Sequence, residues 1–105
     1  MMSPFAFPQI PPVLNTEVGI PFNIPLSSNP TIGYSWNISR LPQFISLTDE
    51  YYIPDPSLPG MVGVGGTQVF TFVAVSAGDD ILSFNYSTPW GVYGGSYAIQ
   101  VIASY

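Results

Sequence analysis

The chain has no cysteine, no histidine and no lysine, and Arg40 is its single basic side chain. Without cysteine there is no disulfide, no thiolate nucleophile and no sulfur ligand, so the fold must stand on packing. Without histidine and lysine the commonest general base and metal ligand are missing. A serine or threonine nucleophile would have no imidazole or amine to activate it. These gaps argue against an enzyme and leave no basis for a cofactor or a metal centre. Six carboxylates against one arginine give a formal charge of −5. One cation cannot neutralise a phosphate backbone or hold an anionic bilayer, which excludes nucleic acid and membrane surfaces as partners.

Charge is scarce altogether: charged residues make up 7% and hydrophobic ones 47% of the 105 residues. That balance is the reverse of an intrinsically disordered segment. No apolar run reaches a membrane-spanning length, because prolines and polar residues interrupt each one. The start, through Phe7-Pro8, lacks a basic region and a continuous apolar stretch and does not read as a signal peptide. The sequence suits the cytoplasm or, after removal of a signal, secretory or lysosome-like vesicles. Any segment with a helical 3.6-residue period is also missing.

What is present is period-two alternation broken by twelve prolines and ten glycines. The Pro-rich residues 1–14 read as an extended arm or edge strand. Strands are expected over 17–24 (Val18, Ile20, Phe22 and Ile24 on one face), 34–38, 45–53, 67–75, 80–87 and 96–104. In the third of these Ile45 and Leu47 face opposite Ser46, Thr48 and Glu50. The segment 67–75 is apolar on both faces, as a central strand would be. Trp36 sits where a sandwich buries an aromatic. The expectation is all-β: a single domain over 1–105, an immunoglobulin-like antiparallel sandwich of about seven strands without a disulfide. A small barrel is the alternative architecture.

Three turn-type segments fall on every second connection, so in an antiparallel sandwich they emerge at one end. They lie in loops 25–34, 54–66 and 88–95. In the first, Asn29-Pro30-Thr31-Ile32-Gly33-Tyr34, Pro30 fixes its own φ and Gly33 permits a positive one, projecting Thr31 and Ile32. Gly63-Val64-Gly65-Gly66 precedes a strand rather than a helix, so it is no phosphate fingerprint, and its bare backbone invites close approach. Thr88-Pro89-Trp90 sets a large aromatic just beyond a strand. Each segment taken singly also reads as an ordinary turn, flexible linker or end plug.

In order and on these connections, the three segments resemble the chagasin family of inhibitors of papain-like cysteine proteases. That family carries an Asn-Pro-Thr-Thr-Gly-Tyr/Phe loop, a Gly-x-Gly-Gly loop and an Arg-Pro-Trp/Phe loop. Ile32 stands for the second threonine and Thr88 for the arginine. The resemblance implies a monomer that occludes a cathepsin-like protease cleft reversibly and without chemistry of its own. Asn29 to Tyr34 would plug the catalytic centre, with Gly63 to Gly66 and Thr88 to Trp90 lying on either side. An adhesion or carbohydrate-binding sandwich is the competing reading, from the aromatic content and from Trp90 and Tyr93. Asp79-Asp80 and Asp49-Glu50 offer few oxygens for calcium. The sequons at Asn37 and Asn85 lie inside expected strands, which disfavours their use.

Overall fold

The computed structural model describes residues 10–56, 59–60 and 65–105. Seven strands form two sheets: β1 (Val13–Glu17), β2 (Phe22–Ser28), β3 (Ser35–Arg40), β4 (Ile45–Pro54), β5 (Gly66–Ala74), β6 (Gly78–Ser87) and β7 (Tyr93–Ser104). One sheet has the order β1-β7-β6-β3 and the other β2-β5-β4. All pairings are antiparallel except β1 with β7, which is parallel. No helix among the described residues is long and apolar enough to cross a membrane.

The inward residues of both sheets meet in one core. Ile24 and Leu26 of β2, Phe70 and Phe72 of β5, Leu82 and Phe84 of β6, and Ile99 and Val101 of β7 are buried there with Ile45. Phe70 packs on Phe84 with ring centroids 5.0 Å apart, and Phe72 meets Phe84 edge-on at 6.2 Å. Such offset and edge-on pairs add to the area that the rings remove from water. β5 is the central strand of its sheet, as its two-sided apolar pattern requires.

The strand expected over 17–24 does not exist as one piece. β1 ends at Glu17, and β2 begins at Phe22 in the other sheet. Gly19 takes φ +86°, the Ile20 amide donates back to the Glu17 carbonyl, and Ile20 is exposed. Period-two alternation runs through this corner because both flanking strands alternate. Gly19 and the donor-less Pro21 are what let the chain change sheets. β4 departs from expectation differently. Its register against β5 shifts between Leu47 and Asp49, and beyond Ile45 the whole strand is exposed. The bulge moves the pleat by one residue, so the alternation read from 45 onward does not carry across it.

Trp36 is half-buried rather than enclosed, and it leans on the core from the edge strand β3. Its indole N–H donates to the Ser27 carbonyl at 2.8 Å. The backbone of Trp36 is held from the opposite sheet. Its N–H donates to Gln68 Oε1 (3.0 Å), and Gln68 Nε2 donates to its carbonyl (2.8 Å). A primary amide thus does for the free edge of β3 what a neighbouring strand would do. Gln68 is buried, and both ends of its amide are used.

Candidate functional site

The connections β2–β3, β4–β5 and β6–β7 leave the sandwich at the same end. The first loop is shorter than 25–34, since residues 25–28 belong to β2. Pro30–Ile32 form a single 3-10 helical turn. Asn29 caps it: its Oδ1 accepts from the Thr31 amide at 3.3 Å and from the Thr31 hydroxyl. Gly33 closes it at φ +89°, its N–H bonded to the Pro30 carbonyl. With the Thr31 hydroxyl turned onto Asn29, Ile32 is the side chain that projects, 60% exposed. Tyr34 does not project. Its ring stacks on Tyr86 at 5.3 Å and lies over Gly94, where a Cβ would come within 2.7 Å of it.

The third loop is also tighter than expected, because Tyr93 to Gly95 already belong to β7. Thr88 is 7% exposed, and its side chain faces inward. Its Oγ1 accepts from the Val92 amide at 2.9 Å, and its own N–H donates to the Val92 carbonyl. Gly91 N–H donates to the Thr88 carbonyl. These bonds staple the turn and hold Pro89 and Trp90 outward, Trp90 being 73% exposed. The indole reaches the first loop. A Cβ on Gly33 would lie 3.3 Å from Trp90 Cη2.

Of the second loop, Gly63 and Val64 lie outside the described residues. Gly66 is buried at the start of β5, where a Cβ would overlap the Ile53 carbonyl and the Tyr52 ring. A Cβ on Gly65 would come within 3.1 Å of the Ser28 carbonyl. Both glycines are therefore used inside the domain, one against β4 and one against the end of β2. The Asp55 amide donates to the Gly65 carbonyl at 2.9 Å, closing the base of this loop.

Asn29, Gly65 and Trp90 thus belong to one rim, with the first loop touching both of the others. A cavity of about 320 Å³ opens between the first and second loops, lined by Ser28, Asn29, Asp55, Gly65 and Tyr86 among others. Tyr86 was not legible as part of this rim. Its hydroxyl accepts from the Asn29 amide at 2.9 Å, while its ring lies 4.8 Å from that of Trp36. In the sequence it reads only as the last inward residue of β6. The signal lay in its chemistry: a half-buried phenol at a strand end needs a polar partner, and the facing loop supplies one.

Among the described residues no three His, Cys, Asp or Glu side chains gather to hold a metal. Arg40 lies at the far end of β3, paired to Asp80 through both carboxylate oxygens (3.0 and 2.9 Å). The Ile81 amide and then the Arg40 guanidinium hold the Asp80 carboxyl below its ordinary pKa. Asp79 accepts from Gln100 Nε2.

A β-sandwich whose first and third loops are braced side by side at one end, next to Gly65 of the second, is the architecture of a protein that binds by shape. Residues 15–101 match the Chagasin family peptidase inhibitor I42, and the chain belongs to that family. It is 31% identical over 83 residues to chagasin of Trypanosoma cruzi, covering 73% of each chain. It is also 31% identical over 67 residues to amoebiasin-2 of Entamoeba histolytica, spanning 64% of this chain and 54% of that relative. In fold it is similar to the cysteine protease inhibitor EhICP2 of Entamoeba histolytica. That match has a TM-score of 0.69 at 24% identity and covers 89% of this chain and 95% of the other.

Proposed function

We propose that this chain is a reversible, non-covalent inhibitor of papain-like cysteine proteases that blocks the active-site cleft with its loop-bearing end. Asn29 to Tyr34, Gly63 to Gly66 and Thr88 to Trp90 are the segments assigned to the protease, and the domain works as a monomer without enzymatic activity. The observation that carries the proposal is the bracing of the first loop. A 3-10 turn capped by Asn29 has Gly65 of the second loop beside its cap and Trp90 of the third beside its closing Gly33. Loops already held in place lose little freedom on association, which is how a moderate interface binds tightly.

The roles within the rim differ. Ile32 is the wedge and Trp90 the flanking anchor, both large apolar groups in water when the protein is alone. Tyr34, Thr88 and Gly66 are turned inward and act by holding backbone. The turn should also protect the loop from cleavage by the target. A papain-like enzyme cleaves an extended segment laid along its cleft, and residues 30–32 are wound into a helical turn with Gly33 reversing the chain. A tip wound in this way does not offer the extended backbone that cleavage requires. Family membership favours this reading over an adhesion or carbohydrate-binding module.

Titration of papain with the domain tests it. Activity should fall to nothing near equal stoichiometry, with the domain recovered intact. Trp90→Ala should raise the inhibition constant roughly 30-fold, the equivalent of about 2 kcal/mol for a hot-spot aromatic. Its unfolding midpoint should stay put, because Trp90 is mostly in solvent. A papain rate that does not respond to added domain refutes the proposal.

A further inference from the structure

Resting on the inhibitor reading, we propose that Tyr86, which belongs to none of the three segments, is the positioning residue that sets the first loop for docking. Its place makes it the common support of the rim. Tyr86 lies on β6 two residues before Thr88, so its backbone leads directly into the third loop. Its hydroxyl accepts the Asn29 amide at 2.9 Å, at the residue whose side chain caps the 3-10 turn. Its ring is stacked against Tyr34, at the other end of the same loop, at 5.3 Å. The first loop is therefore gripped at both ends by one side chain, by a hydrogen bond at Asn29 and by a ring contact at Tyr34.

Two neighbours keep Tyr86 itself from moving. Trp36 packs on its ring with centroids 4.8 Å apart, and Trp36 is fixed by its indole bond to Ser27 and by the Gln68 amide. Gly94 of β7 leaves room for both tyrosines: a Cβ there would lie 2.7 Å from Tyr34 and 3.2 Å from Tyr86. Tyr86 also lines the cavity between the first and second loops, facing Asp55 and Gly65. Its hydroxyl is engaged with the loop backbone, so its action on a protease passes through the loop.

A loop released at Asn29 spends part of its time away from the docking conformation, and apparent affinity falls by the fraction lost. That penalty belongs to the free protein, so it appears as slower association, whereas loss of a direct contact speeds dissociation. Tyr86→Phe separates the two, since it removes the acceptor and keeps the ring. In the free variant, amide hydrogen exchange over residues 29–33 should accelerate roughly tenfold, the scale of one hydrogen bond, with β5 amides unchanged. The association rate with papain should fall by the competent fraction lost, at a near-constant dissociation rate. Tyr86→Leu, which also removes both ring contacts, should lose more association rate and lower the unfolding midpoint.

Exchange over 29–33 that stays at the wild-type rate in Tyr86→Phe overturns the proposal. So does faster exchange with unchanged association, which makes the grip irrelevant to docking. A uniform loss of protection through β5 and β6 would mean general packing and also overturns it. If the wild-type domain does not inhibit papain at all, the inhibitor reading fails, while the exchange measurement still decides whether Tyr86 holds the loop.

Discussion

Gly33→Ala tests the rim where the first and third loops meet. Gly33 sits at φ +89°, a conformation that costs a residue with a Cβ about 1–2 kcal/mol. Alanine also narrows the unfolded ensemble, which offsets about 0.4–1 kcal/mol of that strain. The expected net loss of stability is about 1 kcal/mol, read as a lower urea midpoint at unchanged slope. The second effect is local. The new methyl would stand 3.3 Å from Trp90 Cη2, tighter than an ordinary contact, and 3.8 Å from Cζ2. Thr88 staples the base of the third loop, so the indole must tilt away rather than carry the loop with it. Moving the anchor and the turn together should raise the inhibition constant for papain roughly tenfold, the equivalent of about 1.4 kcal/mol. Gly19→Ala is the control: φ is +86° and nothing lies within 4 Å of the added carbon, at the opposite pole of the sandwich. It should lose similar stability and keep full inhibition. Equal inhibition by both variants would show that contact between Gly33 and Trp90 plays no part in binding, and the reasoning about a braced rim would fail.

Gln68→Leu should cost about 1–3 kcal/mol in urea denaturation, since it strips two partners from the Trp36 backbone and supplies none. A change under about 0.5 kcal/mol would mean that water replaces the amide at that edge. Arg40→Ala probes the far pole. Asp80 has a depressed pKa in the folded state, so its contribution to stability is present above the ordinary value of 3.8 and is lost as pH falls through the lower, folded value. Removing Arg40 withdraws one cause of that depression and should flatten the acid limb of the stability-versus-pH curve. An acid limb that superimposes on wild type would assign the depression to the Ile81 amide alone.

The sheet architecture was legible because alternation and turn residues carry it. The segments around Phe70, Leu82 and Val101 alternate against one continuous core, and the length of β5 follows from its apolar run. Two errors have one origin. Alternation has no memory of which sheet it belongs to, so the corner at Gly19 and the bulge after Leu47 pass unnoticed in the pattern. The loop positions were readable from Asn29-Pro30, Gly65-Gly66 and Pro89-Trp90, but the division of labour within them was not. Thr88 and Gly66 look like contact residues in a motif, and the structure turns both inward. Tyr86 follows Leu82 and Phe84 in alternation and Gln68 lies in a largely apolar strand, and the structure uses their polar atoms to fix loop and edge. Such roles depend on what lies across 57 and 32 residues of chain, and no local window contains that information.

The long last strand, β7, starts beside Trp90 and runs twelve residues away from it, a distance of about 36 Å at the usual rise per residue. Tyr105, just past its end, is almost fully in solvent. A bead, dye or surface linked there would sit on the side of the molecule remote from the proposed cleft-facing rim. Tethering at that residue should therefore yield an immobilised capture reagent with its protease-binding end unobstructed.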